Sequence, residues 1–440
     1  MSKILLVGNG PLPSDQTKML SASGLRTWQF TQGLLSDGHR VSVVCISDQI
    51  FEEKKTSFPR IILQKKDKNL LKKLQLIYKN FSPDAIVGVN TYPSFIATHL
   101  KSDKPFWADL NGWIMAEAQS QAGVLQSNEL LPHYATFEKR ILLRADKIST
   151  VSIPQQHVTV GELAMLGRLT AKNNGYAFVH PIANVTDNAK SSRAGKIIVR
   201  GKSVPKSAEI ILWSGGYNTW ADVETLFLGL ELAMKNNGNL YFISSGGAIK
   251  GLDDRTFLRF EKMVEKSKYR KRFIFLGWIP LADLPSLYAE ANLGISVDKI
   301  IYETEYGARN RINAMVDAGL PVISTLGSEV ANELYAANAI CGVTGGDAVA
   351  LSKGIEKFFI LPQKARKSLA QKAKKYMEAR YTFITTTAPL RAWAKAPMAA
   401  PDRKCVDLDK GKMSIYADSL FGNLKREGVW KTVAKINKRR

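Results

Sequence analysis

The sequence predicts an α/β chain of two domains, each a parallel sheet covered by helices. Three observations lead there. Apolar strands alternate with helices twice along the chain, at the spacing that parallel βαβ units require. Glycine turns follow successive strands of the second half, at Gly215 and Gly216, at Gly246 and Gly247, and at Gly277. Between the two series lies a polar, basic stretch, residues 186–207. At 440 residues there is ample length for a core in each domain.

In the first half, residues 3–7 read as a buried strand that runs into Gly8-Asn9-Gly10-Pro11. A glycine turn after a first parallel strand lets a ligand approach the backbone, which makes Gly10 a candidate binding residue. The pattern is not G-x-G-x-x-G, so a dinucleotide fingerprint is absent. Residues 24–36 read as a helix and 41–46 as a strand, with His39 in the turn between them. Residues 60–80 set Leu70, Leu71, Leu74, Ile77 and Tyr78 at helical spacing, against seven basic residues and one acid. Residues 85–89 are the next strand. The run from Pro105 to Trp113 is another, with Asp109 and Asn111 at its carboxyl end and Glu117 a turn later. Polar groups just beyond strand ends are where open α/β sheets hold ligands. A helix over 137–144, a strand over 147–151 and a helix opening near Pro154, with Ser152 as its cap, complete this half.

In the second half, residues 209–213, 239–244, 272–276 and 292–297 read as strands, with helices over 222–234 and 281–291. Residues 302–325, YETEYGARNRINAMVDAGLPVIST, read as loop, helix, turn and strand. Glu303 and Glu305 fall in the loop. Ile312, Met315 and Val316 recur at helical spacing, Gly319 caps the helix and Pro321 cannot extend it. Glu305, Arg309, Arg311 and the free N–H groups of the first turn converge there, a setting that suits a phosphate and sugar hydroxyls. Helices over 347–359 and 363–381 follow. Residues 394–412 read as a flexible link and 414–438 as a basic amphipathic helix. Asp407-Leu408-Asp409 follows no strand and is discounted as a metal motif.

The 302–325 stretch resembles the donor-binding signature of glycosyltransferase family 4, in which a Glu, seven residues, a second Glu and a small-residue helix ending in GLPV bind the nucleotide sugar. Glu305 takes the first place, and Asn313 stands where the second Glu is usual. Arg309-Asn310-Arg311 is similar to the Arg-x-Arg of one subgroup. GLRTWQFTQGLLSDGHRVSVV resembles the start of many GT-B chains, WSGGYNTW the first donor-domain loop and FLGWIP the base-side loop. The resemblance covers residues 1–385. It implies a GT-B fold of two Rossmann-like domains facing each other across a cleft. Residues 1–183 would form the acceptor side, 184–207 a linker or insertion, and 208–385 the donor domain. Residues 386–400 would return the chain to the first domain, leaving 401–440 as a basic tail. It further implies that Arg309 and Arg311 hold the diphosphate, Glu305 the sugar hydroxyls and Asn313 the ribose. Gly10, Gly215, Gly216, Asn218, Gly246, Gly247, Gly277 and Trp278 would surround the donor. Asp109 would orient the acceptor, with Asn111 and Glu117 beside it. The implied reaction is metal-free transfer with retention, by front-face attack and without a bound cofactor. Its substrates would be a nucleotide-diphosphate sugar and a glycan or lipid-linked acceptor, in bacterial surface polysaccharide or glycolipid assembly.

The net charge of +23 calls for an anionic partner. Nucleic acid is one reading, but the basic residues cluster outside the expected clefts and no nucleic-acid motif occurs, so that partner is not expected. An epimerase lacks an acid–base set here, and a phosphorylase lacks its cofactor lysine. A catalytically inactive partner subunit is the alternative that Asn313 invites. The three scattered cysteines suit a reducing cytoplasm. No apolar run is long enough to span a membrane. Residues 60–80 and 421–440 each carry a net +6, the latter with Val429, Trp430, Val433 and Ile436 as an apolar stripe. The expectation is a peripheral protein on the inner face of the plasma membrane, held to anionic lipid through residues 60–80 and 414–440.

Overall fold

The apolar runs build two sheets, each buried on both faces. In the first strand, Leu5 and Val7 face one helical layer while Ile4 and Leu6 face the other. In the strand that opens the second domain, Ile211 and Trp213 face one layer, and Ile210 and Leu212 the other. Burial on both faces is what all-parallel sheets require. The computed structural model describes residues 1–15, 21–49, 51–185, 195–249 and 253–403.

The first domain runs β1 (Lys3–Asn9), α1 (Ala22–Ser36), β2 (Arg40–Ile46), β3 (Arg60–Leu63), α2 (Leu70–Phe81), β4 (Ala85–Gly88), α3 (Thr91–Ala97), β5 (Phe106–Leu110), α4 (Ile114–Leu125), α5 (Leu131–Arg144), β6 (Lys147–Thr150), α6 (Ile153–Met165) and β7 (Val179–Pro181). Its seven strands are parallel, in the order β3-β2-β1-β4-β5-β6-β7. The second domain runs β8 (Glu209–Ser214), α7 (Val223–Asn236), β9 (Leu240–Ser245), α8 (Arg255–Glu265), β10 (Phe273–Gly277), α9 (Leu284–Glu290), β11 (Leu293–Ser296), α10 (Tyr302–Tyr306), α11 (Asn310–Asp317), β12 (Val322–Thr325), α12 (Glu329–Ala336), β13 (Cys341–Val343), α13 (Ala348–Ile360) and α14 (Gln363–Arg380). Its six parallel strands are ordered β10-β9-β8-β11-β12-β13. Strand order reverses at β1/β4 and at β8/β11, so loops diverge there and leave crevices at the carboxyl edges.

Short α15 (Phe383–Thr386) and α16 (Ala388–Lys395) then return to the first domain. Ser2 Oγ donates to the Ala394 carbonyl at 2.7 Å, and the Trp393 ring meets Trp107 at 5.5 Å. Arg391 pairs with Asp37 at the end of α1.

Four sequence expectations change or gain detail. Glu303 and Glu305 lie on the short helix α10, not in a loop. The described part of the expected linker or insertion, residues 195–207, packs on the second domain: Val199 and Val204 enter its core, and Glu290 takes the N–H groups of Val199 and Arg200 at 2.8 and 2.7 Å. The described start of the expected flexible link, residues 394–403, is anchored: the Arg168 guanidinium grips Asp402 through two bonds of 2.8 and 2.7 Å. The α2 stripe is mostly core, because Leu70 and Leu74 cover the sheet, leaving Leu71 and Leu76 exposed at 43% and 59%. The tail beyond residue 403, with its expected amphipathic helix and Asp407-Leu408-Asp409, lies outside the described residues, as do residues 186–194.

Both partners of the Arg168–Asp402 pair are only 2% exposed. Asp402→Ala would leave a buried, uncompensated guanidinium and should cost about 3–5 kcal/mol. Thermal and denaturant unfolding would read this as a clear loss of stability, whereas a freely moving link predicts no change.

Candidate active site

The carboxyl edges of the two sheets face each other, and several direct bonds join them. Ser120 Oγ donates to Thr219 Oγ1 at 2.8 Å, and the Ile153 N–H donates to Glu329 Oε1 at 2.8 Å. The rings of Trp113 and Tyr306 meet edge to face at 5.3 Å. A chain of amides crosses the cleft. Asn313 Nδ2 donates to the Asn184 carbonyl at 3.1 Å, Asn184 Nδ2 to Asn111 Oδ1 at 3.4 Å, and Asn111 Nδ2 to Asn90 Oδ1 at 2.9 Å.

On the second-domain side, three glycine turns are laced together. The Gly215 N–H donates to the Ser245 carbonyl and the Gly246 N–H to the Gly277 carbonyl, both at 2.7 Å. The Tyr217 N–H donates to the Gly247 carbonyl at 3.1 Å. Gly246 has φ +104°, and a Cβ there would lie 2.3 Å from the Gly215 carbonyl oxygen. Only glycine allows that approach. Arg311 sits beneath these turns. It stacks 3.5 Å above the Trp213 ring and donates to the carbonyls of Ser214 and Gly216 at 2.7 and 2.6 Å. Taking up those carbonyls stiffens the loop from below, and burial draws the guanidinium's pKa down to about 10. Half-buried Asn218 lies on the same loop, its carbonyl accepting from the Ala221 N–H. Trp278, on the next turn, donates from Nε1 to the Ala248 carbonyl at 3.2 Å.

At the start of α11, Arg309 is 4% exposed and shared by two acids. Its Nε donates to Asp298 Oδ2 at 2.7 Å, and its Nη atoms donate to the two Glu303 oxygens at 3.2 and 2.7 Å. The sequence placed Arg309 on a diphosphate; its guanidinium is instead committed to these carboxylates. Burial works against the Arg309 charge, but Glu303 and Asp298 more than offset it and raise its pKa. One cation cannot neutralise two acids. Burial pushes Glu303 up to about 8 against the pull of Arg309, with Asp298 and Glu117 adding to the rise. Glu305, two positions along α10, is exposed and lines a cavity between the domains. Three oxygens of this stretch, Asp298 Oδ1, Asn310 Oδ1 and Asn313 Oδ1, are buried without a hydrogen-bond partner.

On the first-domain side, Asp109 is fully buried beneath the cleft. It accepts from Arg26 at 2.7 and 3.1 Å, from Ser149 Oγ at 2.7 Å and from the Asn90 N–H at 3.2 Å. It ties α1, the turn after β4 and β6 to β5, and the acceptor orientation expected of it is not open to so saturated a carboxylate. Gly10 is likewise buried, against Cys45 and Phe51. Asn111 belongs to the amide chain. Glu117 on α4 accepts from Gln121 Nε2 at 3.2 Å and is pushed up by burial. Nearby, Glu138 has both oxygens buried and unpartnered, and Glu162 accepts from Trp113 Nε1 at 2.8 Å. Burial raises Glu138 well above the usual carboxylate range, and Glu162 raises it further.

The sequence reading missed Arg26, Asn184, Asp298, Glu303 and the Glu138–Glu162 pair. Asp298 alone carried a usable signal, standing just beyond a strand end. Among the described residues no cluster of His, Cys, Asp and Glu suits a metal ion.

No protein-family model matches the chain, and no curated protein matches its sequence. Solved structures do match. Sucrose-phosphate synthase from Thermosynechococcus elongatus aligns with a TM-score of 0.64 at 17% identity, covering 90% of this chain and 98% of that one. Anabaena HepE in complex with UDP and glucose aligns at 0.61 and 13%, covering 90% of this chain and 100% of that one. The fold is GT-B. A trehalose-6-phosphate structure from E. coli, bound with UDP-2-fluoro glucose, aligns at 0.66 and 12%, again over 90% and 100%. At these identities the likeness establishes the GT-B architecture.

Glu138 supplies a pH test. A carboxyl with a raised folded pKa favours the fold at low pH and loses that contribution as pH rises. Glu138→Gln should therefore match the parent protein near pH 4 and grow more stable relative to it towards pH 8, as read by melting temperatures across that series. A difference independent of pH would mean that Glu138 titrates in the folded protein as it does in the unfolded chain.

Proposed function

We propose that this GT-B protein is a glycosyltransferase that moves a sugar from a nucleotide-diphosphate sugar to a glycan or lipid-linked acceptor. The observation that carries the reading is the set of three buried, unpartnered oxygens on Asp298, Asn310 and Asn313 around the start of α11. Unsatisfied buried acceptors are costly, and ribose and sugar hydroxyls are the donors that would satisfy them. The glycine turns admit a diphosphate close to backbone amides, and the N-terminus of α11 adds positive potential. UDP or a UDP-sugar analogue is bound in two of the similar structures, which makes a uridine donor the first to try.

Within this reading, Glu305 takes donor-sugar hydroxyls and Asn313 the ribose. Arg311 acts through the loop that it braces, while the Arg309 network fixes where α10 and α11 begin. The acceptor hydroxyl attacks the anomeric carbon on the face from which the diphosphate departs. The bond from that carbon to the diphosphate oxygen breaks, and the acceptor's proton passes to the departing oxygen. The anomeric configuration is retained. Positioning and charge stabilisation are the protein's share. The Glu305-to-Asn313 spacing and the Arg309-x-Arg311 run support a donor site of the family 4 type in this scheme. Surface polysaccharide or glycolipid assembly is the setting the reading favours.

Calorimetry with UDP-, GDP-, dTDP- and ADP-sugars should find one that binds without added metal; no binding across the series would sink the proposal. Glu305→Ala should cut transfer about 100-fold or more. Because the side chain is exposed, its melting temperature should hold. The product's anomeric configuration by NMR tests retention.

We further place the enzyme at an anionic membrane surface, through the exposed Lys72, Lys79, Leu71 and Leu76 of α2 and the basic tail read from the sequence. Flotation with liposomes should require anionic lipid, weaken with salt and fall when residues 414–440 are removed. Equal flotation with neutral vesicles would refute this placement.

A further inference from the structure

A cavity of about 1530 Å³ lies between the domains, and the glycines of the three turns are not part of its lining. One wall is α8, an unusually one-sided helix. Its Thr256, Phe260 and Val264 are buried, while Arg255, Arg259, Lys262 and Lys266 line the cavity. These four stand at i, i+4, i+7 and i+11, so they form one stripe along about 16 Å of helix. The facing wall is the carboxyl half of α4, where Ser120, Gly123, Val124 and Gln126 bring no charge. Arg255 spans the gap, donating to the Val124 carbonyl at 3.2 Å.

Of the acids around this cavity, Glu224 pairs with Arg259 of the stripe itself, Glu329 accepts from the Ile153 N–H, and Glu333 accepts from Tyr381 at 2.7 Å, which leaves Arg255, Lys262 and Lys266 as the stripe's cations without an ion-pair partner among the described residues. Apolar side chains lie between the charges: Leu258, Ile300 and Tyr302 are 48%, 78% and 54% exposed at the cavity. Lys299 and Glu305 line it as well. Lys299 Nζ donates to the Thr219 carbonyl at 2.6 Å, so the cavity adjoins the first glycine loop.

We propose that this groove binds an acidic oligosaccharide, the sugar chain that accepts the transferred residue. The inference rests on the glycosyltransferase reading for the word acceptor, and on the groove alone for the ligand's chemistry. Cations spaced along a helix suit charges repeated along a chain better than the concentrated charge of one phosphate group. Exposed apolar side chains offer contact to the C–H faces of sugar rings, and the α4 hydroxyl and amides to ring hydroxyls. The volume exceeds the roughly 300–1,000 Å³ of an ordinary small-molecule pocket, which leaves room for several linked sugars. The chain's own tail is the wrong occupant, since residues 404–440 carry ten basic residues and four acidic ones. Glu305 at the cavity would meet the end of the acceptor where the donor sugar arrives.

The test compares hexagalacturonate, maltohexaose and a short oligothymidylate by calorimetry on the full chain. Hexagalacturonate should bind, weaken steeply between ~50 and ~200 mM salt, and outcompete maltohexaose by at least about tenfold. The double variant Lys262→Glu, Lys266→Glu should lose at least about tenfold in that affinity, while nucleotide-sugar binding and the melting temperature stay at parent values. Unchanged hexagalacturonate affinity in the variant, equal binding of maltohexaose, or tighter binding of the oligothymidylate would each overturn the proposal. Failure of the donor reading looks different: no nucleotide sugar binds the parent protein, yet the salt-sensitive, α8-dependent hexagalacturonate binding persists.

Discussion

One buried arginine shared by two carboxylates sets the geometry of the cleft. Arg309 joins Asp298, just beyond the end of β11, to Glu303, in the second position of α10. That link determines how the chain leaves the sheet, makes one turn of α10 and enters α11. The Glu303 carbonyl takes the Gly307 N–H at 2.8 Å, and Asp298 is tied to Thr325 on β12 by a bond of 2.8 Å. The first domain then docks on the same turn, through Trp113 on Tyr306 and Ser152 on the Tyr306 carbonyl. Removing one partner of such a buried cluster strands the others' charges. The positions of α10 and α11, and with them the exposed Glu305 and the unpartnered Asn313 Oδ1, depend on this cluster.

The first domain uses the same device. Arg26 binds both oxygens of Asp109 and reaches the Ile182 carbonyl and Asn184, so α1, β5 and the chain leaving β7 are fixed to each other. Each sheet thus carries a buried arginine–aspartate pair under its carboxyl edge. The amide chain from Asn90 to Asn313 lies between the two. Charged groups brace the cleft from below, while neutral amides and glycine turns face the space above. Such an arrangement provides rigid support without filling the site with permanent charge.

Much of the fold was legible in the sequence, because long apolar strands and helical periodicity are strong, local signals. Gly319 and Ser152 ended and began helices as their chemistry dictates. The site was legible only as a neighbourhood. Glu303 and Glu305 look equivalent in sequence, yet two positions apart on a helix they point to different sides. One goes to Arg309 and the other to the cavity. Arg309 and Asp109 looked like free binding groups because a lone charged residue at a helix start or strand end carries no mark of its partner. Their partners lie 11 and 83 residues away in sequence. The second distance is beyond any local pattern. The basic stripe of α8 was hidden for another reason: in a chain of +23, four more cations attract no notice until one helical face collects them.

The local charge also accounts for the residue that departs from the expected signature. Asp298 and Glu303 together outweigh Arg309, and Glu117 lies near enough to add to the rise in Glu303's pKa. Asn313 is 4% exposed and one turn from Arg309. A carboxylate at that position would be a further buried anion with no cation left to meet it, since Arg311 is occupied by the Ser214 and Gly216 carbonyls. It would either take up a proton or repel its neighbours. An amide keeps the acceptor oxygen that a hydroxyl needs and spends its N–H on the Asn184 carbonyl, the one bond that carries the amide chain across the cleft. The substitution is therefore compatible with a working site: it exchanges a charged contact to the ligand for a neutral one and a tie between the domains.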